Sequence, residues 1–434
     1  MSNKTARQKG VLPKLRFPAF RDAPGWEIQE LSKLATFVKD RISLDSISKS
    51  SYISTENMLP DYNGIKLSSS IANISYATHF LKDDILISNI RPYLKKIWIS
   101  EFEGGSSNDV VVVRVKDKLC DSFLGFQLKN DFFISYVMKG AKGVKMPRGD
   151  ISLMKKYPVS YPTRPEQQKI ADCLSSIDEL IAAEGQRLEA LREHKKGLMQ
   201  QLFPAAGETL PKLRFPAFRD APGWEVKKFE EIYSFKRTNS YSREMLDLEK
   251  GTIKNIHYGD IHKKYPSHFN IEKEHVPYVI ESSLIEKINQ DEYCREGDLI
   301  FADASEDIED VGKCIEVILL NNEKIISGLH TILARQKTER LVIGFSGYLF
   351  HSYVIRDQIR KESQGAKVLG ISRGRLAGID VCFPKGKKEQ QKIADCLSSI
   401  DELIAAEGQR LKALREHKKG LMQQLFPAAG EVAG

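Results

Sequence analysis

Apolar residues recur between positions 167 and 203 at alternating spacings of three and four: Leu174, Ile177, Ile181, Leu188, Leu191, Leu198 and Leu202. Glu184 and Lys195 fill the two places where the next apolar residue would fall. The stretch lacks proline, is rich in Ala, Leu, Glu, Gln, Lys and Arg, and lies between Pro165 and Pro204. Good helix formers with a seam of this period predict one long helix, about 55 Å at 1.5 Å per residue, built to pack against another. Leu397, Ile400, Ile404, Glu407, Leu411, Leu414, Lys418, Leu421 and Leu425 predict a second. Elsewhere the pattern shortens. Runs at 84–88 (DILIS), 96–100 (KIWIS) and 109–115 (DVVVVRV) predict strands, as do 298–302, 313–319 and 330–334. Aromatic-rich segments of helical character follow at 123–138 and 345–360.

The two helical stretches are copies. Residues 166–208 recur at 389–431 with a single change, Glu189 becoming Lys412. A shorter segment, LPKLRFPAFRDAPGWE at 12–27, recurs unchanged at 210–225, each time leading into an amphipathic start (Ile28, Leu31, Leu34 and Val226, Phe229, Ile232). The chain therefore runs short motif, insert, long motif, and then the same again, with inserts that differ in sequence and length. Cores tolerate volume-conserving swaps, so near-identity over dozens of residues exceeds what packing requires. Recent duplication accounts for it, as does a need for each copy to meet an equivalent partner surface. The domain limits read from this are 1–165 (first repeat motif and insert), 166–204 (helix), 205–388 (second motif and insert), 389–427 (helix) and 428–434 (tail).

A seam needs a partner, and the other copy is the obvious one. In an antiparallel register where paired numbers sum to 602, Glu184 faces Lys418, Lys195 faces Glu407, and the apolar layers coincide. Polar seam residues act as register setters, so this register is the expectation. The fold class is α+β: two α/β insert domains joined by two long helices that form an antiparallel coiled coil, with an internal pseudo-two-fold repeat.

Composition sharpens this reading at one point. The net charge of the 434 residues is +8, but the two helices together carry −2, so +10 lies elsewhere. The inserts mix cations with Asn, His and Tyr, and the stretch 139–148 has four cations and no acid. Lys and Arg suit phosphates while Arg and Asn suit base edges. The candidate contacts are Asn89, Arg91, Tyr93, Lys95, Lys96, Lys142, Lys145 and Arg148 in the first insert. In the second they are Arg237, Asn239, Arg243, Asn255, His257, Tyr258, Lys263, Lys264, Lys367, Arg373 and Arg375.

Other chemistry leaves little trace. There is no GxxxxGK[ST] loop, HExxH, GxSxG or N-P-P-aromatic tetrapeptide, and none of the six cysteines forms a CxxC pair. His257, His262, His268 and His275 lack the spacing of metal ligands, and no metal site is expected. No apolar run reaches the length of a membrane span and no signal-peptide pattern opens the chain, so a cytoplasmic location is expected.

The EQQKIADCLSSIDELI and LREHKKGLMQQLF motifs, each placed after an unlike insert that ends in an aromatic-proline stretch, strongly resemble the specificity subunit of type I restriction-modification systems. The KLRFPAFRDAPGWE motif is also typical of that family, and the resemblance covers nearly the whole chain. It implies that each insert is a target-recognition domain reading one half of a bipartite, asymmetric site in double-stranded DNA. It implies that the paired helices fix the half-site spacing and dock two modification subunits, which carry S-adenosylmethionine and methylate adenine. A separate restriction subunit would supply ATP-driven translocation and Mg-dependent cleavage, leaving this chain without catalytic residue or cofactor. The rival readings are an enzyme active without partners and a coiled-coil scaffold whose inserts bind proteins.

Overall fold

The computed structural model describes residues 11–68, 75–280 and 288–427; the tail at 428–434 lies outside them. The chain divides into two compact units, Met1–Gln186 with Gln409–Gly434, and Arg187–Gly408.

Each long motif forms one helix, Arg164–Leu202 and Lys387–Leu425. The first begins before Pro165 rather than after it. A proline at the start of a helix costs nothing, because its missing N–H would be unpaired there anyway. Neither helix makes a unit of its own, since each contributes one part to the first unit and the rest to the second. Every seam residue is buried or partly buried, while Leu180 and Leu403, outside the seam, are exposed.

The pairing within each unit is antiparallel, but the register differs from the one expected. Lys418 meets Asp178 at 2.5 Å, six residues before Glu184, and Glu184 meets Arg410 at 3.0 Å, eight residues before Lys418. In the second unit Lys195 meets Asp401 at 2.5 Å and Glu407 meets Arg187 at 3.1 Å, displaced in the same way. Six and eight bracket seven, a slip of one heptad. An apolar seam repeats every seven residues, so it accepts either register equally. Flanking residues make the choice, because Asp178, Asp401, Arg187 and Arg410 offer the seam Lys and Glu charged partners at the edge of the interface, so that neither buried Glu184 nor buried Glu407 is left without a counter-charge.

In the first unit the insert builds two antiparallel-dominated sheets. One orders Ala35–Phe37, Val110–Val115, Ile85–Ser88 and Ile97–Ile99; the other orders Arg41–Ser43, Tyr76–Phe80, Gly104–Ser106 and Tyr52–Ile53. The second unit has a five-stranded sheet, Tyr233–Lys236, Thr331–Gln336, Leu299–Ala302, Cys314–Leu319 and His268–Asn270, beside a four-stranded one. All six strands read from the sequence are present. The two aromatic segments each split into a helix pair, Asp121–Leu128 with Asp131–Lys139, and Phe345–His351 with Tyr353–Glu362.

The short motif anchors each unit. Arg16 makes a two-pronged contact with Glu166 (2.8 and 2.7 Å), and the Trp26 indole N–H also points at that carboxylate (3.3 Å). Arg214, Trp224 and Glu389 repeat the arrangement in the second unit at 2.8, 2.8 and 3.2 Å. Trp26 packs edge-on against Phe123 and Phe426, and Trp224 against Phe203 and Phe345. The motif thus ties together an insert helix, the start of one long helix and the end of one. Each unit needs this clamp, which gives a physical reason for the motif to be present in both.

Candidate nucleic-acid interface

In the first unit the strand Ile85–Ser88 leads into a loop whose course is set by two residues in the left-handed region, Arg91 (φ 50°) and Lys95 (φ 56°), on either side of the turn Pro92–Leu94. Non-glycine residues held in this way are costly and persist where surrounding structure fixes them. The fixing comes from a second segment. Arg91 N–H donates to the Pro147 carbonyl (2.8 Å), and Gly149 N–H to that of Asn89 (3.1 Å). The two loops meet edge to edge and present Arg91, Tyr93, Lys142, Lys145 and Arg148 on the surface.

Not all of the cations there are free. Lys95 pairs with Asp131 (2.6 Å), Arg148 pairs with Asp109 (2.9 Å), and Lys96 Nζ donates to the Thr55 carbonyl (2.7 Å). Lys96 is therefore a structural tether rather than a surface contact. Arg91, Lys142 and Lys145 have no ion pair among the described residues and are available to phosphate or base. The Asn89 side-chain oxygen is buried and unpartnered.

The second unit corrects several candidates. Asn255 is fully buried and donates to the Asn239 side-chain oxygen (2.9 Å), while Asn239 Nδ2 donates to the Ser327 carbonyl (2.8 Å). His257 is buried and its Nδ1 accepts from Gly259 N–H (3.2 Å), capping the helix Tyr258–Lys263. Burial and the nearby Arg243 hold its pKa below the ordinary value. The two amides bond to each other and to the Ser327 carbonyl, and His257 caps its own helix, so all three shape the loop instead of facing a duplex. The sequence could not separate the two uses, because a buried amide network and a base-reading one draw on the same residue types.

Arg243 is likewise committed. It grips Asp260 with both nitrogens (2.7 and 2.9 Å), and Lys264 adds a third contact (2.9 Å). Burial opposes ionisation of Asp260, but the two cations outweigh it and leave its pKa below the usual range. Arg375 pairs with Glu362 (3.0 Å), and Arg237 lies 3.7 Å from Glu292 with its side chain largely in solvent. Lys263, Lys367 and Arg373 are exposed and without ion pairs among the described residues. His262 Nε2 bonds with the Ala304 carbonyl (2.9 Å), and the strand Ala304–Ser305 pairs with Leu369–Gly370. Helix Tyr258–Lys263 and the segment bearing Lys367 thereby converge on one edge. Tyr258 stacks edge-on with His330, which lies 3.2 Å from Asp303. That His330–Asp303 pair was not among the residues picked from sequence, since the two lie far apart in the chain.

Among the described residues no group of three or more His, Cys, Asp or Glu side chains is placed to hold a metal ion, and no helix is long and apolar enough to cross a membrane.

The model of the type I restriction modification DNA specificity domain matches the chain twice, over residues 25–193 and 222–416. The specificity subunit of the type I restriction enzyme MjaVIII of Methanocaldococcus jannaschii is 24% identical over 378 residues, covering 81% of this chain and 84% of that protein. The solved S subunit of a type I restriction-modification system from M. genitalium superposes with a TM-score of 0.57 at 14% identity, over 96% of this chain and 100% of that one. A chain from a structural study of type I system assembly and conformational transition gives 0.57 at 16% identity, over 93% of this chain and 98% of that one. At these identities the structural likenesses establish the fold.

Proposed function

Because the chain belongs to the type I restriction-modification DNA specificity family, and so is a non-catalytic DNA-recognition subunit that acts with other subunits of its complex, we propose that each insert reads one half of a bipartite, asymmetric target. The observation that carries this reading is the clamp. Arg16–Trp26–Glu166 and Arg214–Trp224–Glu389 are built alike, while the edges they support present different side chains: Arg91, Tyr93, Lys142 and Lys145 in one unit and Tyr258, Lys263, Lys367 and Arg373 in the other. Equal frames under unequal readers suit two unequal half-sites. Exposed cations contact phosphates, and Arg91 and Arg373 are the side chains best suited to guanine edges.

The helix pair sets the half-site spacing, and the duplicated outer faces of the two helices dock two modification subunits. S-adenosylmethionine, ATP and magnesium belong to those partners and to the restriction subunit, and the complex works on cytoplasmic DNA. Co-expression with the modification subunits, followed by mapping of methylated adenines in host DNA, tests the reading. Replacing 226–388 with an insert of another family member is expected to change one half of the methylated site and leave the other. A change in both halves would overturn the assignment.

A further inference from the structure

The two inserts share almost no sequence, yet each carries the same exposed turn at the same place in its topology, after the second aromatic-segment helix and before a short helix, Ile151–Lys155 or Arg373–Ala377. In the first unit Lys142 and Arg148 bond to each other in both directions (2.9 Å each) and close a loop over Gly143, Val144, Lys145, Met146 and Pro147. In the second, Gln364 and Gly370 do the same (2.9 and 2.7 Å) over Gly365, Ala366, Lys367, Val368 and Leu369. The residue after the first closing position is a left-handed glycine in both, Gly143 at φ +97° and Gly365 at φ +135°. A Cβ on Gly365 would lie 1.9 Å from the Val368 carbonyl oxygen, so only glycine fits there. Both turns then read small apolar, Lys, apolar.

The tips leave apolar side chains in water. Val144 is completely exposed, Met146 is 51% exposed and Val368 is 54% exposed. Each turn is also fastened to the loop leaving the insert's buried strand, through Arg91 and Pro147 in one unit and through Ala304 and Gly370 in the other. The surround is cationic: Lys139, Lys142 and Lys145 have no ion pair among the described residues, Arg148 is matched by Asp109 (2.9 Å), Lys367 sits within the second tip and Arg373 follows it. Rigid apolar tips set among cations match a duplex, whose phosphates meet the lysines while its grooves and base steps take the apolar groups.

We propose that these two turns are wedges: Val144 and Met146 in the first unit, and Val368 in the second, press into a groove at a base step and deform the DNA, while Lys145 and Lys367 hold the flanking phosphates. The inference rests on the DNA-recognition reading. It adds a means of discrimination that makes no base hydrogen bond, because the cost of unstacking a step depends on its sequence.

The test uses the full chain with its modification subunits, and short duplexes carrying the methylated site mapped from host DNA, labelled at both ends for energy transfer. The variant Val144→Ser/Met146→Ser replaces only exposed side chains, and a thermal melt checks that it folds. The wild type is expected to shorten the end-to-end distance on the target and not on a scrambled duplex. The variant is expected to bind about ten- to a hundredfold more weakly, as for one or two apolar side chains lost from an interface, with less shortening and an unchanged salt slope. Lys145→Ala is expected to lower the slope by about one. Unchanged affinity and shortening in the double variant would overturn the wedge while leaving DNA recognition intact. So would loss of the modification subunits from that variant, which would mark the turn as a protein contact. A wild type that fails to prefer the target duplex would instead remove the underlying reading.

Discussion

Lys195 reaches across the helix pair to Asp401, 2.5 Å away, and lies over the ring of Tyr348, whose hydroxyl donates to the same carboxylate at 2.8 Å. The first unit repeats the motif with Lys418, Asp178 and the ring of Phe126. One ion pair thus fixes the register and fastens an insert helix to the long helices. Lys195→Asp is expected to lower the stability of the second unit by about 1 kcal/mol after allowing for partial exposure, read as a fall in melting temperature. Adding Asp401→Lys should recover most of the loss, whereas Lys195→Glu with Glu407→Lys should not. Recovery by the second pair and not the first would restore the register that sums to 602.

The clamp contacts are better shielded. The side chains of Arg16 and Glu166 are 9% and 1% exposed, and those of Arg214 and Glu389 are 9% and 4%. Removing one member of a buried pair strands the other, which costs about 3 to 5 kcal/mol. Glu166→Ala is therefore expected to destabilise the first unit and Glu389→Ala the second, each locally. Hydrogen exchange resolved along the chain checks this, and equal loss of protection in both units from either variant would contradict it.

Glu316 gives the second unit a pH signature. Its carboxylate is fully buried and accepts from the backbone N–H groups of Gly344 (3.0 Å) and Gly347 (2.6 Å). Burial dominates and lifts its pKa from the ordinary 4.5 to about 8. Between those values the unfolded chain has lost a proton that the native state keeps. The stability it contributes is thus complete below 4.5 and gone once the pH has risen through about 8. His351 acts in the opposite sense. Burial lowers it from 6.5 to about 4, so its contribution is present above 6.5 and lost on acidification. Of these two groups, only Glu316 changes its contribution between roughly pH 6.5 and 8. Wild-type melting temperature is expected to fall across that window and that of Glu316→Gln to stay level; parallel curves would show that Glu316 is already ionised.

Much of this molecule was legible because its largest signals are periodic. The seam from Leu174 to Leu202, the strands around Ile85 and Leu299, and the duplicated Arg16 and Arg214 motifs all announce themselves in one dimension. What was lost depends on burial and on chain-distant partners. Asn239, Asn255 and His257 have the composition of a reading surface but turn their polar atoms inward, to each other's amide, to the Ser327 carbonyl and to the Gly259 N–H. Val144 and Met146 look like ordinary apolar residues until their exposure is known, and nothing local says that Asp401, rather than Glu407, waits for Lys195.

Arg243 and Lys263 separate positioning from contact within the second reader. Arg243 is held by Asp260, which lies on the helix that carries Tyr258 and Lys263, whereas Lys263 has no ion pair among the described residues. A phosphate contact displaces a counterion, so Lys263→Ala should weaken binding to target and non-target duplexes alike and reduce the slope of log K against log salt by about one. Arg243→Ala leaves buried Asp260 with Lys264 alone, which should loosen the helix, lower the melting temperature and erode discrimination in the half-site read by the second insert. Its salt slope should match the wild type, because the guanidinium is neutralised before DNA arrives. Arg243→Lys, which keeps the charge but not the two-pronged grip, should recover only part of the discrimination. Filter binding over a salt series, with target and half-site-scrambled duplexes, reads all three variants. A slope reduced by Arg243→Ala as much as by Lys263→Ala would make Arg243 a phosphate contact in its own right.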